Sequence, residues 1–179
     1  NSSVIPLPVD FGLFTPRPAA INFDVCRIGA VTGVKGWDLL WEAMHRAPDL
    51  RFALILKDAM APSLPPNARA WLRLPAEKVA EVASQACVGL CTSRVETQHL
   101  AGIEMGGLGL PLVTTDVGAY HGRLSGLWGQ RCELDAAAAV EGIRAVLALP
   151  ARTMRIHNYW KSEFSEAACK RAWQALVAA

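Results

Sequence analysis

Residues 87–118 read CVGLCTSRVETQHLAGIEMGGLGLPLVTTDVG, and the spacing inside this stretch decides the fold. Cys87 to Thr92 is a continuous apolar run, the mark of a strand covered on both faces, and Leu110 to Asp116 repeats that mark. The residues between them form one helix. Strand, helix and strand in this order make a βαβ crossover, the connection that a parallel sheet requires. The same stretch carries two carboxylates, Glu96 and Glu104, one before the helix and one inside it, at the mouth of an otherwise apolar unit.

Outward from this unit the periodicities keep alternating. Cys26 to Val31 is a short apolar run, followed by Thr32-Gly33 and a helical pattern from Gly36 to His45 in which Leu39, Leu40 and Met44 share a face. Arg51 to Lys57 is the next strand, a proline-rich loop spans Pro62 to Pro66, and Ala68 to Leu74 follows as a strand. Pro75 opens a helix through Val79 and Val82, since its missing N–H costs nothing in a first turn. Beyond the central unit, Arg131 to Leu134 reads as a last short strand, Asp135 begins an Ala-rich helix ending at Pro150, and a final helix runs near Ser165 to Ala178. Residues 1–25, with Pro6, Pro8, Pro16 and Pro18, read as an irregular opening segment continuous with the domain. The expectation is one α/β domain over residues 26–179, a Rossmann-like doubly wound parallel sheet of about six strands.

Composition agrees with a single compact domain. The chain has 179 residues, 52% of them hydrophobic and 19% charged, the reverse of a disordered chain. At this length a domain buries about 70% of its unfolded surface. A formal charge of +2 with scattered basic residues argues against a nucleic-acid footprint. Five cysteines, odd in number and widely spaced, make neither a disulfide framework nor a CxxC metal pair, so a reduced, cytoplasmic setting is expected. No apolar run approaches the roughly 20 residues that span a bilayer. The start at Asn1 rather than Met reads as an excised piece of something longer.

In doubly wound sheets ligands lie beyond the carboxyl ends of the strands. Two places fit. Thr32 to Gly36 joins the first strand to its helix, and Lys35 there either meets an anion at the helix N-terminus or is a solvated lysine on a turn. Ser93 to Glu96 follows Thr92, with Thr97 as N-cap of the next helix, so Glu96 lies on a loop and Glu104 about two turns into the helix. Glu104 stands between Ile103 and Met105, where a carboxylate is costly without a partner; an exposed carboxylate is the alternative. His99 reads as a neighbour of the anion and His121 as a turn residue after Gly118, while Asp116 caps the following turn. Trp37 and Trp41, four apart on one helix, suit packing, and Trp160 and Trp173 belong to the tail region.

These residues carry a resemblance. Glu96-Thr97-Gln98-His99-Leu100-Ala101-Gly102-Ile103-Glu104 resembles the E-x7-E motif of retaining glycosyltransferases of the GT-B fold, the glycosyl transferase group 1 or family 4 type. Gly109 to Gly118 resembles the family's strand and turn GxPvvatdvGG, and Lys35 to Leu40 its helix start KGvdlLl. Val4 to Asp10 with Phe14-Thr15-Pro16 resembles the segment that opens the C-terminal domain, and Phe164-Ser165-Glu166 its closing helix. Together these cover nearly the whole chain in order.

The resemblance implies a C-terminal, donor-binding half whose N-terminal, acceptor-binding domain is missing from this chain. It implies transfer of a sugar from a nucleotide-diphosphate donor to a glycan or other acceptor, with retention, without a metal and without any cofactor beyond the donor. Peripheral membrane association would come through the missing half. Glu96 and Lys35 would be catalytic, Glu96 facing the donor sugar and Lys35 the diphosphate. Glu104 would hold the ribose. Thr97, Gln98, His99, Leu100 and Arg94 would complete the donor site, the backbone N–H groups of Gln98 to Leu100 facing the distal phosphate.

Several positions depart from the family. Its arginine five residues before the lysine is Ala30 here, which leaves Arg27 or Arg94 to reach in. Glycines of the family align with Thr97, His99, Lys57 and Leu72. These departures point to the rival reading, a non-catalytic interaction module of the same fold. A nucleotide-sugar epimerase of GT-B fold is the other rival, and it would need an acid/base pair that this chain does not clearly supply.

Overall fold

The computed structural model describes residues 5–58, 63–122, 128–149 and 153–178. Six parallel strands form one sheet: β1 (Phe23–Gly29), β2 (Phe52–Leu56), β3 (Ala68–Leu72), β4 (Ala86–Cys91), β5 (Leu112–Thr114) and β6 (Gly129–Arg131). Their spatial order is β3-β2-β1-β4-β5-β6. The order reverses between β1 and β4, and there the loops leaving two neighbouring strands diverge to opposite faces and open a crevice. The expected doubly wound sheet is what the chain builds.

The described residues form six α-helices, α1 (Trp37–Arg46), α2 (Ala76–Ala83), α3 (Leu100–Gly107), α4 (Ala136–Leu147), α5 (Thr153–Phe164) and α6 (Glu166–Val177), the last packed on α5. The strand period of two sorts side chains between two cores. In β2, Phe52, Leu54 and Leu56 pack with Leu40 and Met44 of α1 and Ile143 of α4, while Ala53 and Ile55 face the layer of α2, α3 and α5. All five β2 residues are buried, which is why that strand reads as unbroken apolar sequence.

The α3–α5 contact depends on room. A Cβ on Gly106 would lie 2.3 Å from the Trp160 ring, so only glycine lets this fully buried tryptophan close against α3. The opening segment is part of the same core: Val9, Phe11 and Phe14 are buried there, and the Val9 N–H donates to the Phe164 carbonyl at 2.9 Å.

The structure corrects several sequence expectations. Strand β1 begins at Phe23, inside the segment expected to be irregular, because Asp24 is fastened to Arg51 by side-chain and backbone bonds rather than by apolar pattern. The last strand is Gly129–Arg131 rather than Arg131 to Leu134, since the ladder to β5 pairs Leu112 with Gly129 and Thr114 with Arg131. Helix α4 ends at Leu147; Pro150 lies outside the described residues. Its start agrees with expectation, Asp135 accepting the Ala138 N–H at 2.9 Å as an N-cap. Helix α5 was not foreseen. Its sequence TMRIHNYWKSEF mixes polar residues into every turn, and only Ile156, His157, Trp160 and Phe164 face inward.

Candidate functional site

The crevice at the β1/β4 divergence is a hollow of about 440 Å³ lined by the ends of β1, β2 and β4 and the start of α3. Lys35 reaches it from the β1–α1 loop and Glu96 from the β4–α3 loop. The Lys35 Nζ donates to Glu96 Oε2 at 2.7 Å, and the Ser93 hydroxyl donates to Glu96 Oε1 at 2.8 Å. The Glu96 side chain is 7% exposed and that of Lys35 33%. Burial works to raise the Glu96 pKa, but the bonds from Lys35 and Ser93 outweigh it and hold the carboxyl below its usual value. Glu96 is therefore an anion near neutral pH, bound to a cation that keeps one side toward solvent.

The β1–α1 loop is fixed at both ends. Gly36 adopts φ 62, and a Cβ there would fall 1.9 Å from the Thr92 carbonyl oxygen, so only glycine lets this loop press against the end of β4. From below, Arg27 donates to the Ala30 carbonyl at 3.0 Å and to the Lys35 carbonyl at 3.1 Å. Arg27 is 3% exposed, lies over the Trp37 ring at 6.0 Å, and borders the hollow. Burial lowers its pKa; it remains a guanidinium whose hydrogen-bond acceptors here are carbonyls. Trp37 and Trp41 pack partly buried against the α1/α4 core, as expected.

Helix α3 starts later than the sequence suggested. Thr97 is not its N-cap: the helix begins at Leu100, and His99 occupies the cap position in the left-handed region at φ 65 with no side-chain cap bond. Glycine adopts such a positive φ without strain, and histidine does not. Histidine is held in that strained state by Tyr120, whose hydroxyl meets His99 Nδ1 and donates to the His99 carbonyl at 3.2 Å. Gly102 makes the space, for its Cβ would stand 1.6 Å from the Tyr120 hydroxyl. Because α3 starts at Leu100, its first-turn N–H groups begin with those of Leu100 and Ala101, and both residues line the hollow together with Gln98 and His99.

Glu104 is one turn into α3 rather than two. It is three residues after Ala101 and four after Leu100, both of which line the hollow, but Glu104 is not itself among the lining residues. Burial raises its pKa, partly opposed by His99, and no ion-pair partner is found for it among the described residues. Gln98 lines the hollow, but its side chain is spent on the opening segment, exchanging two 2.7 Å bonds with the backbone of Leu7. Arg94 points elsewhere: it holds Asp38 in a bidentate pair at 2.7 and 2.8 Å and donates to the Gly33 carbonyl, outside the hollow. The structure thus sets Arg94 apart from the other residues expected at the donor site, which gather around the hollow or on α3.

Sequence reasoning missed three features. Lys57 and Asp58, at the end of β2, border the hollow where the alignment suggested only a lost glycine. Cys91 ends β4 on its floor; burial raises the thiol pKa, but His99 and hydrogen bonds from Ser93 and Thr114 bring it down to about 7. Tyr120, fully buried, belongs to none of the sequence patterns. The apolar run Cys87 to Thr92 carried the signal for Cys91, since a strand's last residue lies at the crevice. Among the described residues the partners of Asp116 are ionic: its Oδ2 lies 3.1 Å from Arg131 Nη1 and 3.1 Å from His121 Nδ1. His121 borders a second hollow of about 520 Å³, across Thr97 and Gln98 from the first.

No protein-family model matches the chain, and no curated protein matches it in sequence. Its fold has many solved counterparts. The sucrose-phosphate synthase of Thermosynechococcus elongatus superposes with a TM-score of 0.79 at 22% identity, over 96% of this chain and 51% of that one. A glycosyltransferase involved in avilamycin A biosynthesis gives 0.79 at 19% identity, over 97% of this chain and 56% of that one. The Anabaena protein HepE, solved in complex with UDP and glucose, gives 0.79 at 14% identity, over 99% of this chain and 56% of that one. The chain thus has the fold of one half of the GT-B glycosyltransferases and spans about half the length of the structures it matches.

Proposed function

We propose that this chain is the donor-binding half of a retaining glycosyltransferase, acting on a nucleotide-diphosphate sugar. The observation that carries the proposal is the 2.7 Å meeting of Lys35 and Glu96 in the crevice between β1 and β4, with Glu104 a turn further along α3. A cation beside a hydrogen-bonded carboxylate, with a second half-buried carboxylate beyond, matches a ligand that is anionic at its centre and rich in hydroxyls at both ends.

In this reading the diphosphate takes Lys35 away from Glu96 and lies against the Leu100 and Ala101 N–H groups. Freed from the ammonium, Glu96 accepts from hydroxyls of the sugar, and Glu104 accepts from the two hydroxyls of the ribose. When the bond from the anomeric carbon to the diphosphate oxygen breaks, negative charge grows on that oxygen. Lys35, placed beforehand in a partly desolvated site, stabilises that charge in the transition state. Arg27 and Lys57 add positive potential where Ala30 supplies none. Protein cations and N–H groups carry the phosphates in this scheme, so transfer proceeds without a resident metal. The acceptor comes from the complementary GT-B half, and the chain is expected in the cytoplasm, where nucleotide sugars are made.

Calorimetric titration of the 179-residue chain with UDP, GDP and ADP tests the donor site. Binding at millimolar affinity or better, weakened by Lys35→Ala and by Glu104→Ala, supports it. A folded chain that binds none of the three leaves an interaction module of the same fold. Product analysis with the complete enzyme then distinguishes transfer from epimerisation.

A further inference from the structure

Among the described residues, one set of side chains converges as metal ligands do: Cys91, Glu96 and His99, whose donor atoms all lie within 4.8 Å of one another. They come from the end of β4, the β4–α3 loop and the cap of α3. All three are shielded, Cys91 being 4% exposed and the side chains of Glu96 and His99 7% and 8%.

The hydrogen bonds around His99 hold its ring in place. The Tyr120 hydroxyl holds His99 at two points, meeting Nδ1 and the His99 carbonyl, and this turns Nε2 toward Glu96 Oε1 at 3.8 Å. Nitrogen, carboxylate oxygen and sulfur thus converge on one shielded point. An outer hydrogen bond that fixes the ring and leaves the other nitrogen bare is the usual support of a metal-bound histidine.

We infer that Cys91 Sγ, Glu96 Oε1 and His99 Nε2 form a site for a soft divalent transition ion of the Zn²⁺ type, its fourth position open to the crevice. Sulfur and imidazole select such an ion over Mg²⁺ or Ca²⁺. Tetrahedral zinc, with bonds of about 2.0–2.3 Å, separates its ligands by roughly 3.3–3.8 Å. The Glu96–His99 pair is already at that distance, and the remaining pairs close by about 1.5 Å at most. Lys35 stays on the other oxygen of Glu96, and the thiolate and carboxylate together neutralise the ion. Such an ion takes no part in sugar transfer. It occupies the carboxylate that would face the donor, so it is a regulator of the crevice.

The test needs no nucleotide, so its outcome is independent of the donor reading. The reduced 179-residue chain is titrated with Co²⁺, followed by absorption, and with Zn²⁺ against a chromophoric chelator. One ion per chain at micromolar affinity or tighter is expected, with a thiolate-to-cobalt charge-transfer band and tetrahedral ligand-field bands. Cys91→Ser abolishes the charge-transfer band and weakens Zn²⁺ at least tenfold. His99→Gly, which suits the positive φ, weakens it similarly while circular dichroism shows the fold retained. Absence of the band, or equal Zn²⁺ affinity in Cys91→Ser and the parent chain, overturns the inference. So does an NMR spectrum in which His99 Nε2 carries a proton and stays unchanged on adding Zn²⁺.

Discussion

The Lys35 ammonium and the Glu96 carboxylate, 61 residues apart in sequence, meet at 2.7 Å across the divergence of β1 and β4. Neither loop could hold its side chain there alone. Arg27 ties down one loop from within the sheet, Ser93 steadies the carboxylate of the other, and Gly36 lets the two touch. The pair is the pivot of the proposed donor site, and the first two predictions concern it.

Replacing Lys35 with Ala removes a charge-assisted contact worth about 1.5–3 kcal/mol to a phosphate. Affinity for a nucleoside diphosphate is expected to fall by roughly one to two orders of magnitude, and the salt dependence of the residual binding to flatten. Calorimetry at two ionic strengths measures both. Unchanged affinity would place the diphosphate elsewhere.

Gly36→Ala should weaken binding without removing any charge. Its Cβ cannot share space with the Thr92 carbonyl, and φ 62 strains any L-residue, so the loop must move and carry Lys35 with it. A stability loss of about 1–3 kcal/mol is expected in urea unfolding, together with a loss of nucleotide affinity. Retained affinity at reduced stability would show that Lys35 is placed independently of this turn.

Opposite pH signatures are expected from the two carboxylates. The folded pKa of Glu96 is depressed, so its stabilising contribution is present above the unfolded value of about 4.3 and is lost as pH falls through the folded value. The folded pKa of Glu104 is raised, so its contribution is fully present below about 4.3 and is lost as pH rises through the folded value. Glu104→Gln should therefore stabilise the chain near pH 7, by about 0.5–1 kcal/mol, while weakening binding of a nucleotide sugar. Chemical unfolding from pH 3.5 to 8, compared with the parent chain, reads this directly. A neutral or destabilising effect at pH 7 would mean that Glu104 has a compensating partner in the folded chain.

Gly102 and Tyr120 form a size-matched pair. Gly102→Ala drives a methyl group into the Tyr120 hydroxyl and is expected to cost about 1–3 kcal/mol. Tyr120→Phe alone removes the support of His99 and is also destabilising. In the double variant the deleted oxygen makes room, so the two losses should be less than additive in a double-mutant cycle. Strict additivity would refute the packing argument.

Much of the fold was legible because it rests on local pattern. The unbroken apolar strand Phe52–Leu56, the Asp135 cap and the glycine after Lys35 each follow from burial on two faces, an orphan N–H or a steric limit. Helix α5 was not legible, since its inward face is set by the Gly106 gap and by Trp160, which belong to different elements. Edges were displaced for a similar reason. At β1 and β6 the boundary follows hydrogen bonds to a neighbouring strand, and apolar pattern does not record them.

The same division runs through the site. Sequence alone determined that Lys35, Glu96 and Glu104 would lie at strand ends or on the following helix, because strand and helix periods place them there before any tertiary contact forms. Tertiary structure alone decided that Arg94 turns to Asp38, that Arg27 reaches under the loop, and that Cys91 and His99 close on Glu96. Those are choices among partners distant in the chain. They depend on which loops the packed sheet brings within a few ångströms, a quantity no local pattern encodes.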